Sequence, residues 1–208
     1  MEQKKTKIAV LVSGGGTNLG ALIAAERDGI IKSGESALVI SNKAGAYALE
    51  RARMANIEAL TVTKAECGSQ EAFEDRLIAE LQTRGIELIV LGGFMAILSE
   101  KFTSLYKNRI INVHPSLIPS FCGKGFYGLR VHEAALEYGV KVTGATVHYV
   151  NEIPDGGKII LQKSVNIEEG DTPEILQKRV MEQAEWIILP KACEIVSKKL
   201  LDERIMEV

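Results

Sequence analysis

A chain of 208 residues suits one α/β domain or two small ones, and 46% apolar with 25% charged residues is too apolar for a disordered chain. A net charge of −2 supplies no global basic field, so nucleic acid is not an expected partner and ligands must be argued from local sites. Apolar runs such as Ile8–Val12 are strand-sized, far short of a membrane span, and the charged stretch Met1–Lys7 does not read as a signal peptide. Cys67, Cys122 and Cys193 are widely spaced and form no CxxC pair, which argues against a disulfide framework or a zinc site. The expected compartment is the reducing cytoplasm, and no metal and no membrane partner are expected.

In chain order, Ile8–Val12 is a buried strand that runs into Ser13 and three glycines. Asn18–Arg27 follows with Leu19, Leu22, Ile23 and Ala24 at helical spacing. Ala37–Ser41 is a second strand, Ala46–Ala55 a second helix and Glu58–Val62 a third strand. Ser69–Arg84 is a long helix with Phe73, Leu77, Ile78 and Leu81 on one face, and Leu88–Leu91 is a fourth strand closed by Gly92 and Gly93. This alternation predicts an α/β fold: a mainly parallel twisted sheet, right-handed crossovers and helices on both faces.

Beyond Gly93 the pattern changes. Arg109–His114 is strand-like and stops at Pro115, and 115–128 reads as a long loop, either functional or mobile. Val131–Tyr138 is a short helix. Val142–Val150 and Lys158–Val165 are strands joined by the turn Asn151–Gly157, an antiparallel addition near the C-terminus. Thr172 caps a final helix of roughly 25 residues, with Pro173 in its first turn.

Three places have the residue types for chemistry. Ser13-Gly14-Gly15-Gly16-Thr17-Asn18 joins a strand to a helix, where glycines allow close backbone approach and the helix N-terminus offers free N–H groups to a phosphate. It is neither a dinucleotide fingerprint, since Leu19 stands where a glycine is needed, nor a P-loop; a capped tight turn is the plainer alternative, and position and composition favour anion binding over it. Asn112 and His114 project together from one strand face, with Val113 turned to the core. An amide donor beside an imidazole suits acyl transfer: one bonds a developing oxyanion, the other moves a proton near neutral pH. Asp155 lies in a Pro/Gly turn, which by itself is explained by turn geometry, and gains a role only if the fold brings it to His114. His132 and His148 are weaker candidates, and Trp186 reads as core.

These segments occur in one order: Ser13–Leu19, Ser41-Asn42-Lys43-Ala44, Gly93–Leu98, Asn112-Val113-His114-Pro115-Ser116-Leu117 and Asp155-Gly156-Gly157. The combination resembles the phosphoribosylglycinamide formyltransferase family over nearly the whole chain. The resemblance implies a Rossmann-like formyltransferase fold, with 1–208 as a single domain: a nucleotide-binding half to about residue 98 and a catalytic, folate-binding half over 99–208. It implies 10-formyltetrahydrofolate as co-substrate and glycinamide ribonucleotide as acceptor. Asn112, His114 and Asp155 match the catalytic trio. Gly16, Thr17 and Asn18 match the acceptor-phosphate loop, and Glu185 an acceptor-contacting glutamate. Met95, Ala96, Ile97 and Leu98 match a folate-lining segment, and Asn151, Glu152, Ile153 and Pro154 a folate-binding turn.

In the implied mechanism Asn112 and protonated His114 stabilise the tetrahedral oxyanion, and Asp155 favours the charged ring. Three departures stand out. Gln70 occupies a folate-binding position where many members carry arginine, so that a cation is missing unless Lys64 or Arg76 supplies it. The loop after Pro119 is longer than in the shortest members. Either Glu182 or Gln183 falls where a second acceptor contact is expected. The rivals are formyltetrahydrofolate hydrolysis, which usually comes with an extra N-terminal domain, formylation of initiator methionyl-tRNA, which wants a C-terminal extension, and a non-catalytic binder of phosphorylated nucleotides.

Overall fold

The computed structural model describes residues 5–206; the start of the charged stretch, 1–4, lies outside them, as do 207–208. In chain order the elements are β1 (Thr6–Val12), α1 (Thr17–Arg27), β2 (Gly34–Ser41), α2 (Tyr47–Met54), β3 (Glu58–Thr61), α3 (Lys64–Cys67), α4 (Gln70–Thr83), β4 (Leu88–Leu91), α5 (Glu100–Leu105), β5 (Ile110–His114), α6 (Leu129–Tyr138), β6 (Val142–Tyr149), β7 (Ile159–Asn166), α7 (Pro173–Val180) and α8 (Trp186–Met206). One seven-stranded sheet has the order β3-β2-β1-β4-β5-β6-β7. The β1–β5 strands pair in parallel, and β6 and β7 add antiparallel strands at one edge.

The alternation of side chains along each strand builds two cores. Ile8, Val10, Val12, Leu88, Val90, Ile111 and Val113 face one core, shared with α1, α7 and α8. Ala9, Leu11, Ile89, Leu91 and Ile110 face the other, closed by Phe73, Leu77 and Leu81 of α4 and Phe102 of α5. Both faces are covered, so these strands are continuous apolar runs rather than alternating ones. Asn112 and His114 share the parity of Ile110 and sit above the second core.

Consecutive strands run outward in opposite directions from the β1–β4 pair, which makes the ends of these two strands a topological switch point, the place where open α/β sheets take ligands. The loops after β1 and β4 meet there, and the Ser13 hydroxyl accepts the Met95 amide at 2.8 Å.

Three elements differ from the sequence reading. The helices α3 and α5 carry no long apolar period; each is set by its cap, Thr63 for α3 and Ser99 for α5. The C-terminal helix continues to Met206, well beyond 25 residues, because Val196, Leu200 and Leu201 carry its buried stripe into the last two turns. A π-helical turn, Met181–Glu185, interrupts it next to the glycine loop.

Candidate active site

The glycine loop is set by backbone geometry. Gly16 is the N-cap of α1 at φ +69°, and a Cβ there would lie 2.6 Å from the Ala48 Cβ, so glycine is required by the approach of α2 as well as by the turn. The Gly14 carbonyl accepts the Ala48 amide at 3.1 Å, and the Gly15 carbonyl accepts Arg51 Nε at 2.8 Å. No side chain caps α1. The loop thus fixes its carbonyls from behind and leaves the helix N-terminus open to an anion.

Beside it, Asn18 Nδ2 donates to Glu185 Oε2 at 2.9 Å. Both residues are buried, and Asn18 Oδ1 has no protein partner. Burial raises the Glu185 pKa, against a smaller downward pull from the Asn18 bond. Thr17 is exposed, its hydroxyl 4.0 Å from Met181 Sδ. Gly16, Thr17, Asn18 and Glu185 therefore gather at one place. Glu182 reaches only Lys178, at 3.9 Å, and Gln183 is exposed.

The second centre lies at the end of β5. His114 Nδ1 is 3.5 Å from Asp155 Oδ2, and Asn112 stands two residues before it on the same strand face. Asp155 reaches in from the turn after β6 at φ +56°, a left-handed conformation that Asp tolerates better than most residues. The following glycines are needed there, because a Cβ at Gly157 would collide with the Tyr149 carbonyl.

The long loop folds over this cluster. The Phe121 carbonyl accepts His114 Nε2 at 2.9 Å, and the Gly123 amide donates to Asp155 Oδ2 at 2.8 Å. Phe121 itself sits at φ +50° and packs edge-on against Phe126 and Tyr138.

His148, a weak candidate in the sequence, belongs to the cluster. It pairs directly with Asn112 across the antiparallel β5–β6 ladder. Its Nδ1 is 2.7 Å from the Tyr149 carbonyl and its Nε2 is 3.3 Å from Asn112 Nδ2 and 3.6 Å from Asp155 Oδ1. A proton on Nδ1 bonds the carbonyl and leaves Nε2 to accept the Asn112 amide, which fixes which way that amide points. The register of the hairpin, not any spacing along the chain, was the signal for it.

The electrostatics correct one expectation. Burial lowers the His114 pKa, and the attraction of Asp155 and the Phe121 carbonyl does not reverse it. The resting ring is thus favoured neutral. Burial would raise the Asp155 pKa, but contacts with His148, His114 and the Gly123 amide together hold it below the usual carboxylate value.

The folate-assigned segments enclose two adjoining clefts. One of about 140 Å³ is lined by Ala96, Ile97, Leu98, Asn112, His148, Asn151, Glu152, Ile153, Pro154 and Asp155. The other, about 550 Å³, adds Met95 and Gln70, with Lys64 and Phe73. Arg76 is engaged with Glu80 at 2.6 Å and lines neither. Among the described residues no group of three or more His, Cys, Asp or Glu is arranged to hold a metal, and no helix is long and apolar enough to cross a membrane.

Known proteins carry the same arrangement of chain. A phosphoribosylglycinamide formyltransferase of Escherichia coli is 43% identical over 176 residues, 85% of this chain and 80% of that protein. The trifunctional purine biosynthetic protein adenosine-3 of Gallus gallus is 42% identical over 95% of this chain, which spans only 19% of that protein's length. A solved glycinamide ribonucleotide transformylase from Symbiobacterium toebii superposes with a TM-score of 0.87 at 42% identity, covering 94% of this chain and 89% of that one. The formyl transferase profile matches residues 6–193, and the chain belongs to the formyl transferase family.

Proposed function

We propose that this chain transfers the formyl group of 10-formyltetrahydrofolate to the amine of glycinamide ribonucleotide, a step of purine synthesis. The observation that carries the reading is the convergence of Asn112, His114 and Asp155 beside a cleft lined by both folate-assigned segments, two strands away from an anion-ready helix N-terminus. The names of the relatives from Escherichia coli and Symbiobacterium toebii give the same acceptor and the same formyl transfer.

The acceptor phosphate sits at Gly16–Asn18, and Glu185 with Asn18 meets its sugar side. The amine nitrogen attacks the formyl carbon, and the carbonyl electrons move onto oxygen. The Asn112 amide, aimed by His148, bonds this oxyanion. When Nε2 leaves the Phe121 carbonyl and the ring proton sits on Nδ1 toward Asp155, neutral His114 accepts at Nε2 the proton that the amine loses and returns it to the folate nitrogen as the carbon–nitrogen bond breaks. Asp155 steadies the ring while it is charged. Protons balance, and the amine is itself the nucleophile. Residues 1–208 act as one domain whose N-terminal half holds the acceptor and whose C-terminal half holds folate; a cytoplasmic setting fits three free cysteines.

The test is to follow loss of the formyl group from 10-formyltetrahydrofolate with and without glycinamide ribonucleotide. Turnover that requires the acceptor and yields formylated ribonucleotide supports the reading. Turnover to formate at the same rate without acceptor would make the chain a hydrolase, and no turnover with retained ribonucleotide binding would make it a binder.

A further inference from the structure

An arginine at position 70 would meet a folate ligand as a cation, and glutamine has no charge to offer. The structure gives Gln70 different work. Its Nε2 donates to Glu74 Oε1 at 2.8 Å and to the Ile97 carbonyl at 3.1 Å, so both amide hydrogens are taken by the protein. Glu74 is only 2% exposed. It also accepts the Ser99 amide at 2.8 Å and the Ser99 hydroxyl, whose oxygen caps α5 by accepting the Phe102 amide at 3.3 Å. One buried carboxylate thereby holds the start of α5 and, through Gln70, the backbone of Ile97.

What is held is the wall of the 550 Å³ cleft. The 93–99 segment has no regular secondary structure, and Ile97 leaves 74% of its surface exposed. Such a segment keeps its shape only where its backbone is fastened. It is fastened at Met95 to Ser13, at Ile97 to Gln70 and at Ser99 to Glu74. Lys64 lines the same cleft and is exposed, and Asn42 there has a buried Oδ1 without a hydrogen-bond partner.

We propose that Gln70 is a positioning residue that tethers the Met95–Leu98 wall through Glu74, and that Lys64 supplies the cation for the anionic end of the ligand. This rests on the folate reading of the cleft. The two residues then act on different parts of the ligand. Loss of Gln70 loosens the wall against the pterin and benzoyl portion, whatever the tail. Loss of Lys64 matters only to a ligand with a carboxylate tail, and only at low salt.

The experiment measures dissociation constants of tetrahydrofolate and of tetrahydropteroyl amide, in which a neutral carboxamide replaces the glutamate, for the wild type, Gln70→Met and Lys64→Met. Amide exchange of 97–99 is read in each protein without ligand. Gln70→Met should weaken both ligands by the same factor, roughly threefold to tenfold, and speed exchange at 97–99. Lys64→Met should weaken tetrahydrofolate alone, several-fold at low salt, and leave exchange unchanged. A Gln70→Met effect confined to tetrahydrofolate, or unchanged affinities with unchanged exchange, overturns the proposal. So does a Lys64→Met effect on both ligands alike. If the wild type binds neither ligand the folate reading fails, and the exchange of Gln70→Met still decides whether the tether exists.

Discussion

The loops that follow β1 and β5 solve two binding problems in opposite ways. The first is short, and what it offers is backbone: Ser13–Gly16 has its carbonyls fixed by α2 and leaves the N-terminus of α1 without a side-chain cap. The second begins at Pro115 and does not reach a helix until Leu129, and its Gly123 amide is spent on the Asp155 carboxylate. The chemistry at its strand lies in side chains, and their partners come from elsewhere: Asp155 from the turn after β6, His148 from β6, and the Phe121 and Gly123 backbone from the loop itself. An anion site can be built from contiguous residues. A proton-moving site needs groups whose pKa values depend on one another, and contiguous residues on a strand cannot surround one ring.

The comparison breaks most visibly at Asp155. Asp155→Asn or His114→Ala should lower turnover by roughly two or more powers of ten at saturating substrates, with the thermal midpoint little changed. Near-normal turnover in both variants would remove the trio from the mechanism. The matching change in the first loop is Gly15→Val. A Cβ at Gly15 meets nothing in the protein, whereas one at Gly16 collides with α2, so Gly15 tests ligand approach without testing folding. It should raise the acceptor KM about tenfold or more and leave folate affinity alone, as separate titrations of the two ligands would show.

Two smaller effects sharpen the same contrast. His148→Leu removes the acceptor that orients the Asn112 amide, and should lower kcat by roughly tenfold with both KM values within about twofold. A change in KM alone would assign His148 to binding. In the covering loop, amide exchange at Phe121 and Gly123 should change when both ligands saturate the protein, because His114 Nε2 faces substrate only after it leaves the Phe121 carbonyl. Unchanged exchange would mean that chemistry runs with the loop as it stands.

A separate effect, outside both loops, falls on stability. His132 is fully buried with neither ring nitrogen hydrogen-bonded, and burial, with His114 nearby, lowers its pKa to about 4. A folded pKa below the unfolded value of about 6.5 means that the unfolded chain takes up the proton first. Its neutral form is therefore compatible with full stability above pH 6.5, and stability falls as the pH drops from there toward 4. Denaturant midpoints across this range should fall less steeply in His132→Leu; an unchanged slope would assign the acid sensitivity to other groups.

Much of the fold was legible because both cores are written as apolar runs and helical stripes: Ile8–Val12, Leu88–Leu91 and the Phe73–Leu77–Leu81 face are each read locally. The shared face of Asn112 and His114 followed from strand periodicity alone. The α5 helix escaped because six residues hold no period, and the π turn because one extra residue in a helix leaves no compositional trace. His148 escaped because its partner is set by hairpin register, and the covering of His114 because its ligands are backbone atoms. The direction of the His114 pKa was misjudged for a related reason. Asp155 can be seen in a sequence, but the depth of burial that outweighs it cannot.

The division between the two loops is tested most directly by single-turnover formyl transfer in Gly15→Val and Asp155→Asn, each at concentrations of both substrates raised until the rate no longer changes. Gly15→Val should then approach the wild-type rate, because its loop only holds the acceptor. Asp155→Asn should stay roughly a hundredfold or more below it at every concentration. A Gly15→Val protein that remains as slow as Asp155→Asn under saturation would contradict the account.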